Sequence, residues 1–238
     1  MLIDIGNTRC KYITVTNHKR SAVMHCSHEQ LTEQWLTTTF AQATEVILAN
    51  VSTELLTGII KQWANIHAIP FQLLHTQHQQ FELTCAYKKP EQLGIDRWLS
   101  VLAASSLFPN QACLIVDAGT ATTIDAISSD GQHLGGWILP GIELLFQSLV
   151  SNTQKVAATQ ISEPNIRLGN NTSECVNYGA WGLTVGAIEL QCNALKKQYP
   201  AVQVILTGGN SEKISPLLSV EHQIAADLVF IGMQRFSG

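Results

Sequence analysis

Short apolar runs, each closed by Asp, Gly, Asn or Thr, set the pattern of this chain. Leu2-Ile3-Asp4-Ile5-Gly6-Asn7-Thr8 reads as a strand entering a tight glycine turn, and Cys10 to Val15 reads as the returning strand. The same arrangement recurs at Ile115-Val116-Asp117-Ala118-Gly119-Thr120-Ala121, with Thr122 to Ile127 as the return. Further along, Glu45 to Asn50 resembles Gln203 to Gly208. Each is followed by a helical stretch and a second apolar run, Pro70 to Leu74 in one case and Leu228 to Ile231 in the other, both read as strands. The predicted order is β-hairpin, strand, helix, strand, helix, strand, helix, given twice. The division expected from it falls at residues 1–110 and 111–238, with about 45 extra residues in the second half before its central strand.

Two longer helices stand out. Over 91–107 the apolar positions Ile95, Trp98, Leu99, Leu102 and Ala103 follow three-and-four spacing. The second spans 178–198 and ends on Lys196-Lys197, which suits the negative helix end. Gly179, Gly182 and Gly186 lie along it. Glycine weakens a helix, so close packing against a sheet or another helix, including one of a second subunit, is the expected reason.

Composition narrows the function classes. Of 238 residues, 45% are hydrophobic and 13% charged, against about 25% charged in ordinary domains. This excludes a disordered chain and points to an oligomer, although a surface rich in Thr, Gln, Ser and Asn gives the same balance. The net charge is −4 and no run of Lys or Arg exceeds two, which argues against nucleic acid binding through a basic face. No apolar stretch reaches a bilayer's thickness, and the start lacks leader features, so a cytoplasmic protein without membrane association is expected. The six cysteines show no CxxC spacing and read as reduced thiols. His25-Cys26-x-His28 and His75-x-x-His78 read as surface histidines.

The chemistry sits at the glycine turns. Backbone N–H groups in such a turn form a nest for phosphate oxygens. Asn7 and Thr8 add donors, Asp4 can reach a phosphate-bound Mg²⁺, and Lys11 interrupts an apolar strand, so its charge should meet an anion. A purely structural hairpin competes evenly with this reading at the first turn. The second turn repeats the logic with Asp117 and Thr120, and Thr207-Gly208-Gly209-Asn210 offers a backbone that a flat ligand such as adenine can approach. Gly94-Ile95-Asp96-Arg97 opens the 91–107 helix. Arginine is unfavourable at a helix start, so a bound anion would justify Arg97. Gly135-Gly136-Trp137-Ile138-Leu139-Pro140-Gly141 and Leu168-Gly169-Asn170-Asn171-Thr172 read as loops with strict backbone demands and no assignable chemistry.

Six motifs in order carry a resemblance: Asp-x-Gly-Asn-Thr, Tyr…Pro…Leu-Gly-x-Asp-Arg, Asp-x-Gly-Thr-Ala-x-Thr, Gly-Gly-x-Ile-x-Pro-Gly, Gly-x-Asn-Thr and Thr-Gly-Gly. Over essentially its whole length the chain resembles the type III pantothenate kinases, of the sugar kinase, heat-shock chaperone and actin superfamily. The resemblance implies an α/β fold of duplicated ribonuclease-H-like, actin-like ATPase domains, with mixed sheets flanked by helices and a cleft between them. It implies phosphorylation of pantothenate by ATP, the first step towards coenzyme A. By position, Asp4, Ile5, Gly6, Asn7, Thr8, Arg9, Cys10, Lys11 and Thr120 would bind ATP. Asp96 would be the catalytic base. Tyr87, Gly94, Ile95, Asp96, Arg97 and Thr172 would bind pantothenate. Asp117 would bind a monovalent cation, K⁺ or NH₄⁺, beside the Mg²⁺ that accompanies ATP and that Asp4 could reach through water. A homodimer is implied as well. Lys89 stands where the family usually has Asn, and Asn170 where it often has Lys. A kinase for another small alcohol, and a non-catalytic transcriptional accessory protein, are the alternatives on the same fold.

Overall fold

The computed structural model describes residues 1–237 and divides into two compact units. The first comprises Met1–His78, Tyr87–Ala103 and the chain from Asp227 onward; the second comprises Gln79–Ala86 and Ala104–Ala226. The chain therefore passes between the units several times.

The first unit holds strands β1 (Leu2–Ile5), β2 (Cys10–Ile13), β3 (Met24–Cys26), β4 (Val46–Asn50) and β5 (Phe71–Leu73), in the order β3-β2-β1-β4-β5. The β3-β2-β1 part is antiparallel and β1-β4-β5 is parallel. Ile3, Ile5, Val46 and Leu48 alternate onto one face. There they meet α1 (Glu33–Thr39) and α2 (Glu54–Ile66) through the buried Leu36, Phe40, Leu56, Ile60 and Trp63. Full burial of a side chain such as Phe40 contributes about 1.5–3 kcal/mol. Thr32 caps α1 by accepting from the Trp35 amide at 3.3 Å. The alternation that sends Ile3 and Ile5 inward places Asp4 on the opposite face.

The second unit repeats the plan with β6 (Ala112–Ala118), β7 (Ala121–Ile127), β8 (His133–Pro140), β9 (Val202–Thr207) and β10 (Gln223–Ile224), in the order β8-β7-β6-β9-β10 and with the same strand directions. Leu114, Val116, Ala118 and Ile124 pack on Trp181, Ile188, Cys192 and Leu195. Those four belong to a helix over Thr172–Lys196. Asp117 again falls on the other face. The extra residues of this half form a helix over Ile142–Asn152, the connection 153–171 and much of the long helix. With α3 (Ile95–Leu107) in chain order before them, these helices are α4 and α5; α6 (Ser211–Ile214) and α7 (Leu228–Gln234) follow.

Four sequence expectations need correction. Leu228–Ile231 is the first turn of α7, not a strand, and the fifth strand is Gln223–Ile224. A four-residue apolar run has no periodicity to separate the two. Gly232 decides it, because its missing side chain lets α7 lie directly on the backbone of Leu99 in α3, where a Cβ would stand 3.1 Å from the Leu99 Cα. Residues Gly135 to Pro140 are strand, not loop; Gly135 takes φ +98° beside a register shift at Ala126/Ile127. Helix α5 begins at Thr172, six residues earlier than expected, because Asn171 caps it by accepting from the Glu174 amide at 3.0 Å. Helix α3 begins at Ile95, after a separate 3₁₀ turn at Pro90–Gln92. No helix among the described residues is long and apolar enough to cross a membrane.

Candidate active site

In the first unit, β1 and β2 meet at the turn Gly6-Asn7-Thr8-Arg9. The Gly6 amide donates to the Arg9 carbonyl at 3.1 Å, and Asn7, Thr8 and Arg9 are exposed. Ile5 and Cys10 are buried and fix the strand ends rather than facing solvent. Asp4 is buried at the end of β1, directly across from Lys11. Lys11 is in turn paired with His25 on β3. Burial first, then the positive charges of Arg9 and Lys11, hold the His25 pKa below its ordinary value. The hairpin end thus carries Arg9, Lys11 and His25 beside the buried Asp4.

The second cluster of this unit surrounds the start of α3. Asp96 accepts the Arg97 amide at 2.8 Å, and Ser100 donates to the Asp96 carbonyl at 3.0 Å. A Cβ on Gly94 would stand 2.6 Å from Asp96 Oδ1, so only glycine leaves that carboxylate its place. Arg97 is buried and donates from Nη1 to the Tyr87 hydroxyl at 3.2 Å. A buried guanidinium needs full pairing, and the Tyr87 hydroxyl supplies part of it. Thr76 donates to the Leu93 carbonyl at 2.8 Å and ties down the preceding turn. Next to the cluster lies a cavity of about 620 Å³ lined by Asn50, Val51, Thr57, His75, Gly94 and Ile95, at the carboxyl ends of β4 and β5.

In the second unit, Asp117 stands opposite Thr123 on β7 and Thr207 on β9. This is the place that Asp4 holds in the first sheet. Gly208, at φ +87°, presses against Asp117 Oδ1, and a Cβ there would stand 2.7 Å from the Ala118 backbone. Its glycine is thus demanded by Asp117 and by its own left-handed backbone, a reason that the expected approach of a flat ligand had not supplied. Thr120 lies in the β6–β7 turn, where its carbonyl accepts the Gly141 amide at 3.1 Å. Thr172 is exposed at the first position of α5. Another cavity, of about 340 Å³, is lined by Glu143, Phe146, Asn177, Trp181, Asn210 and Lys213.

One contributor escaped the sequence reading. His28, expected on the surface, is half-buried, and its Nε2 lies 2.9 Å from the Gly6 carbonyl. Only the pairing of β3 with β2 brings these residues together. Among the described residues no group of three or more His, Cys, Asp or Glu side chains assembles. Single carboxylates at strand ends suit Mg²⁺ that arrives on phosphates, since that ion keeps most of its waters and takes only one or two protein ligands. Asp4 fits such a role.

A duplicated β3-β2-β1-β4-β5 sheet with an acidic residue and a glycine turn at each first strand defines an α/β protein of the actin-like ATPase and sugar kinase fold. Two solved structures share it. One is a protein from Campylobacter jejuni described as a Baf family transcriptional activator (TM-score 0.65, 24% identity, 98% of this chain and 95% of that one). The other, from Sinorhizobium meliloti, bears the name of a 2-dehydro-3-deoxygalactonokinase (TM-score 0.59, 11% identity, 98% and 96% covered). The family model for type III pantothenate kinase matches residues 1–194. A type III pantothenate kinase from Colwellia psychrerythraea is 37% identical over 247 aligned positions, covering 100% of this chain and 99% of its own. The chain belongs to the type III pantothenate kinase family.

Proposed function

We propose that the chain transfers the γ-phosphoryl group of ATP to the primary alcohol of pantothenate, as family membership directs, with the residues named above in defined roles. The observation that carries the residue assignment is the cluster at the start of α3. There Gly94 makes room for the Asp96 carboxylate, and the Arg97 guanidinium and the Tyr87 hydroxyl are joined. Asp96 accepts a backbone amide and sits in the first turn of a helix. An ionised carboxylate can accept the hydrogen bond of the alcohol and orient its oxygen. In phosphoryl transfer this orientation counts for more than early proton removal. In this reading Arg97 binds the carboxylate of pantothenate, Gly94 and Ile95 line the pocket beside it, and Thr172 is a further substrate contact.

The turn Gly6 to Arg9, with Asp4 and Lys11 behind it, is the phosphate-binding element, and Thr120 is the corresponding contact of the second unit. Mg²⁺ bound to ATP neutralises phosphate charge and is reached by Asp4 directly or through water. Asp117, pressed by Gly208 and flanked by Thr207 and Thr123, is the ligand for a monovalent cation, K⁺ or NH₄⁺. The matching strand order of the two sheets supports halves 1–110 and 111–238 as copies of one ancestral unit. The enzyme works as a homodimer in the cytoplasm. Leu183 and Leu190 are exposed on one side of α5, and Gly179, Gly182 and Gly186 have open space where a Cβ would lie. An apolar face with small residues is what a second subunit's helix would cover. The test is the Asp96→Asn variant. It should bind ATP as the wild type does and turn over pantothenate about 10²–10⁴-fold more slowly. Near-normal turnover would remove Asp96 from the role.

A further inference from the structure

We infer that His28 is a positioning residue for the phosphate-binding turn, holding the Gly6–Asn7 peptide so that the Asn7 amide faces the ATP phosphates. The inference rests on the reading of Gly6 to Arg9 as the phosphate-binding element.

The geometry is specific. The Gly6 amide is committed to the Arg9 carbonyl at 3.1 Å, and the Gly6 carbonyl lies 2.9 Å from His28 Nε2. A carbonyl oxygen can only accept, so His28 Nε2 must carry the proton and donate. A peptide unit is planar, and among the described residues every peptide bond is trans. The Gly6 carbonyl and the Asn7 N–H therefore point in opposite directions across one rigid plane. Holding the carbonyl on His28 aims the Asn7 N–H away from His28, to the other side of the turn. The turn gains from this support because glycine leaves the peptide plane free to rotate, and Asn7, Thr8 and Arg9 are exposed. A peptide that flips would turn a carbonyl oxygen towards the phosphates in place of a donor.

The anchor is itself held. His28 opens a 3₁₀ turn at His28–Gln30, in which the Ser27 amide donates to Gln30 Oε1 at 2.8 Å and the Leu31 amide donates to the His28 carbonyl at 3.2 Å. Leu31 is buried in the core of the first unit. The imidazole is thus carried on a tethered turn and reaches the nucleotide hairpin from 22 residues away in sequence.

The test uses side chains that do or do not place a donor where Nε2 is. In His28→Gln the side-chain amide nitrogen can take the Nε2 position. His28→Asn is too short, and His28→Phe fills the space without a donor. For His28→Phe and His28→Asn, the KM for ATP should rise about tenfold, in keeping with one lost hydrogen bond that orients a phosphate contact. The KM for pantothenate should stay within twofold, and His28→Gln should restore the KM for ATP to within about threefold of wild type. A general loss of packing would move both KM values and would not distinguish Gln from Asn. In the unsubstituted enzyme, the ¹⁵N spectrum of His28 should show a protonated Nε2, and the Asn7 amide proton should shift on addition of Mg²⁺-ATP. Equal KM changes for both substrates, no difference between Gln and Asn, or an unprotonated Nε2 would overturn the inference. An enzyme that neither binds ATP nor forms ADP would instead overturn the reading of the turn on which it rests.

Discussion

The Asp96 carboxylate occupies the space that a side chain at Gly94 would need: a Cβ there would stand 2.6 Å from Oδ1. Glycine is therefore required by the neighbouring carboxylate, and the pair is a single device for placing an acceptor at the head of α3. Gly94→Ala should push the carboxylate aside while leaving the fold intact. A displacement of about 1 Å at a reacting group costs up to about 10²-fold. The expected result is a kcat lowered about tenfold to a hundredfold with an unchanged KM for ATP, read by steady-state kinetics. An unchanged kcat would show that the position of Asp96 is unimportant.

Gly208 and Asp117 form the corresponding pair of the second unit. Gly208→Ala must both strain a backbone at φ +87° and displace Asp117 Oδ1. The stability loss should be about 1–3 kcal/mol. Activation by K⁺ should weaken in this variant and vanish in Asp117→Ala. Thermal melts and a K⁺ titration of turnover check both. Turnover that is indifferent to K⁺ in the unsubstituted enzyme would remove the cation from Asp117.

His25 reports on the phosphate turn. Its pKa lies below the ordinary 6.5 through burial and the charges of Arg9 and Lys11. Between its folded value and 6.5 the unfolded chain binds more protons, so this group makes stability rise with pH across that window. The penalty it imposes is complete once pH has fallen below the folded value. Phosphates bound at the turn favour the protonated ring and should move the pKa up. An NMR titration of His25 with and without Mg²⁺-ATP measures this. An unmoved pKa would place the phosphates elsewhere.

The proposed dimer would form through the exposed side of α5. Leu183→Glu should convert a particle of twice the 26.0 kDa chain mass into a monomer, as measured by sedimentation. An unsubstituted enzyme that sediments at the mass of one chain would refute the dimer.

Much of the architecture was legible in the sequence because repetition exposed it. The Asp-x-Gly turns at Asp4 and Asp117, each between apolar runs, marked two equivalent hairpins, and the strands at Val46 and Val202 completed the parallel part of each sheet. The fate of Leu228 to Ile231 was not legible. Four apolar residues fit a strand or a helix equally, and the deciding contact, Gly232 on Leu99, joins residues far apart in the chain. The start of α5 was missed because Asn171 was read with the loop rather than as a cap. At the site, glycine and carboxylate positions could be found from spacing. The tie between His28 and Gly6 could not, since it exists only after β3 has paired with β2.

The central claim is that this chain phosphorylates pantothenate with ATP. The most direct measurement is ADP formation with Mg²⁺-ATP and K⁺, with and without pantothenate, with the product followed by mass spectrometry. The account predicts ADP release that depends on pantothenate and a product heavier than pantothenate by one phosphoryl group. ADP release that is indifferent to pantothenate, or none at all, would contradict it.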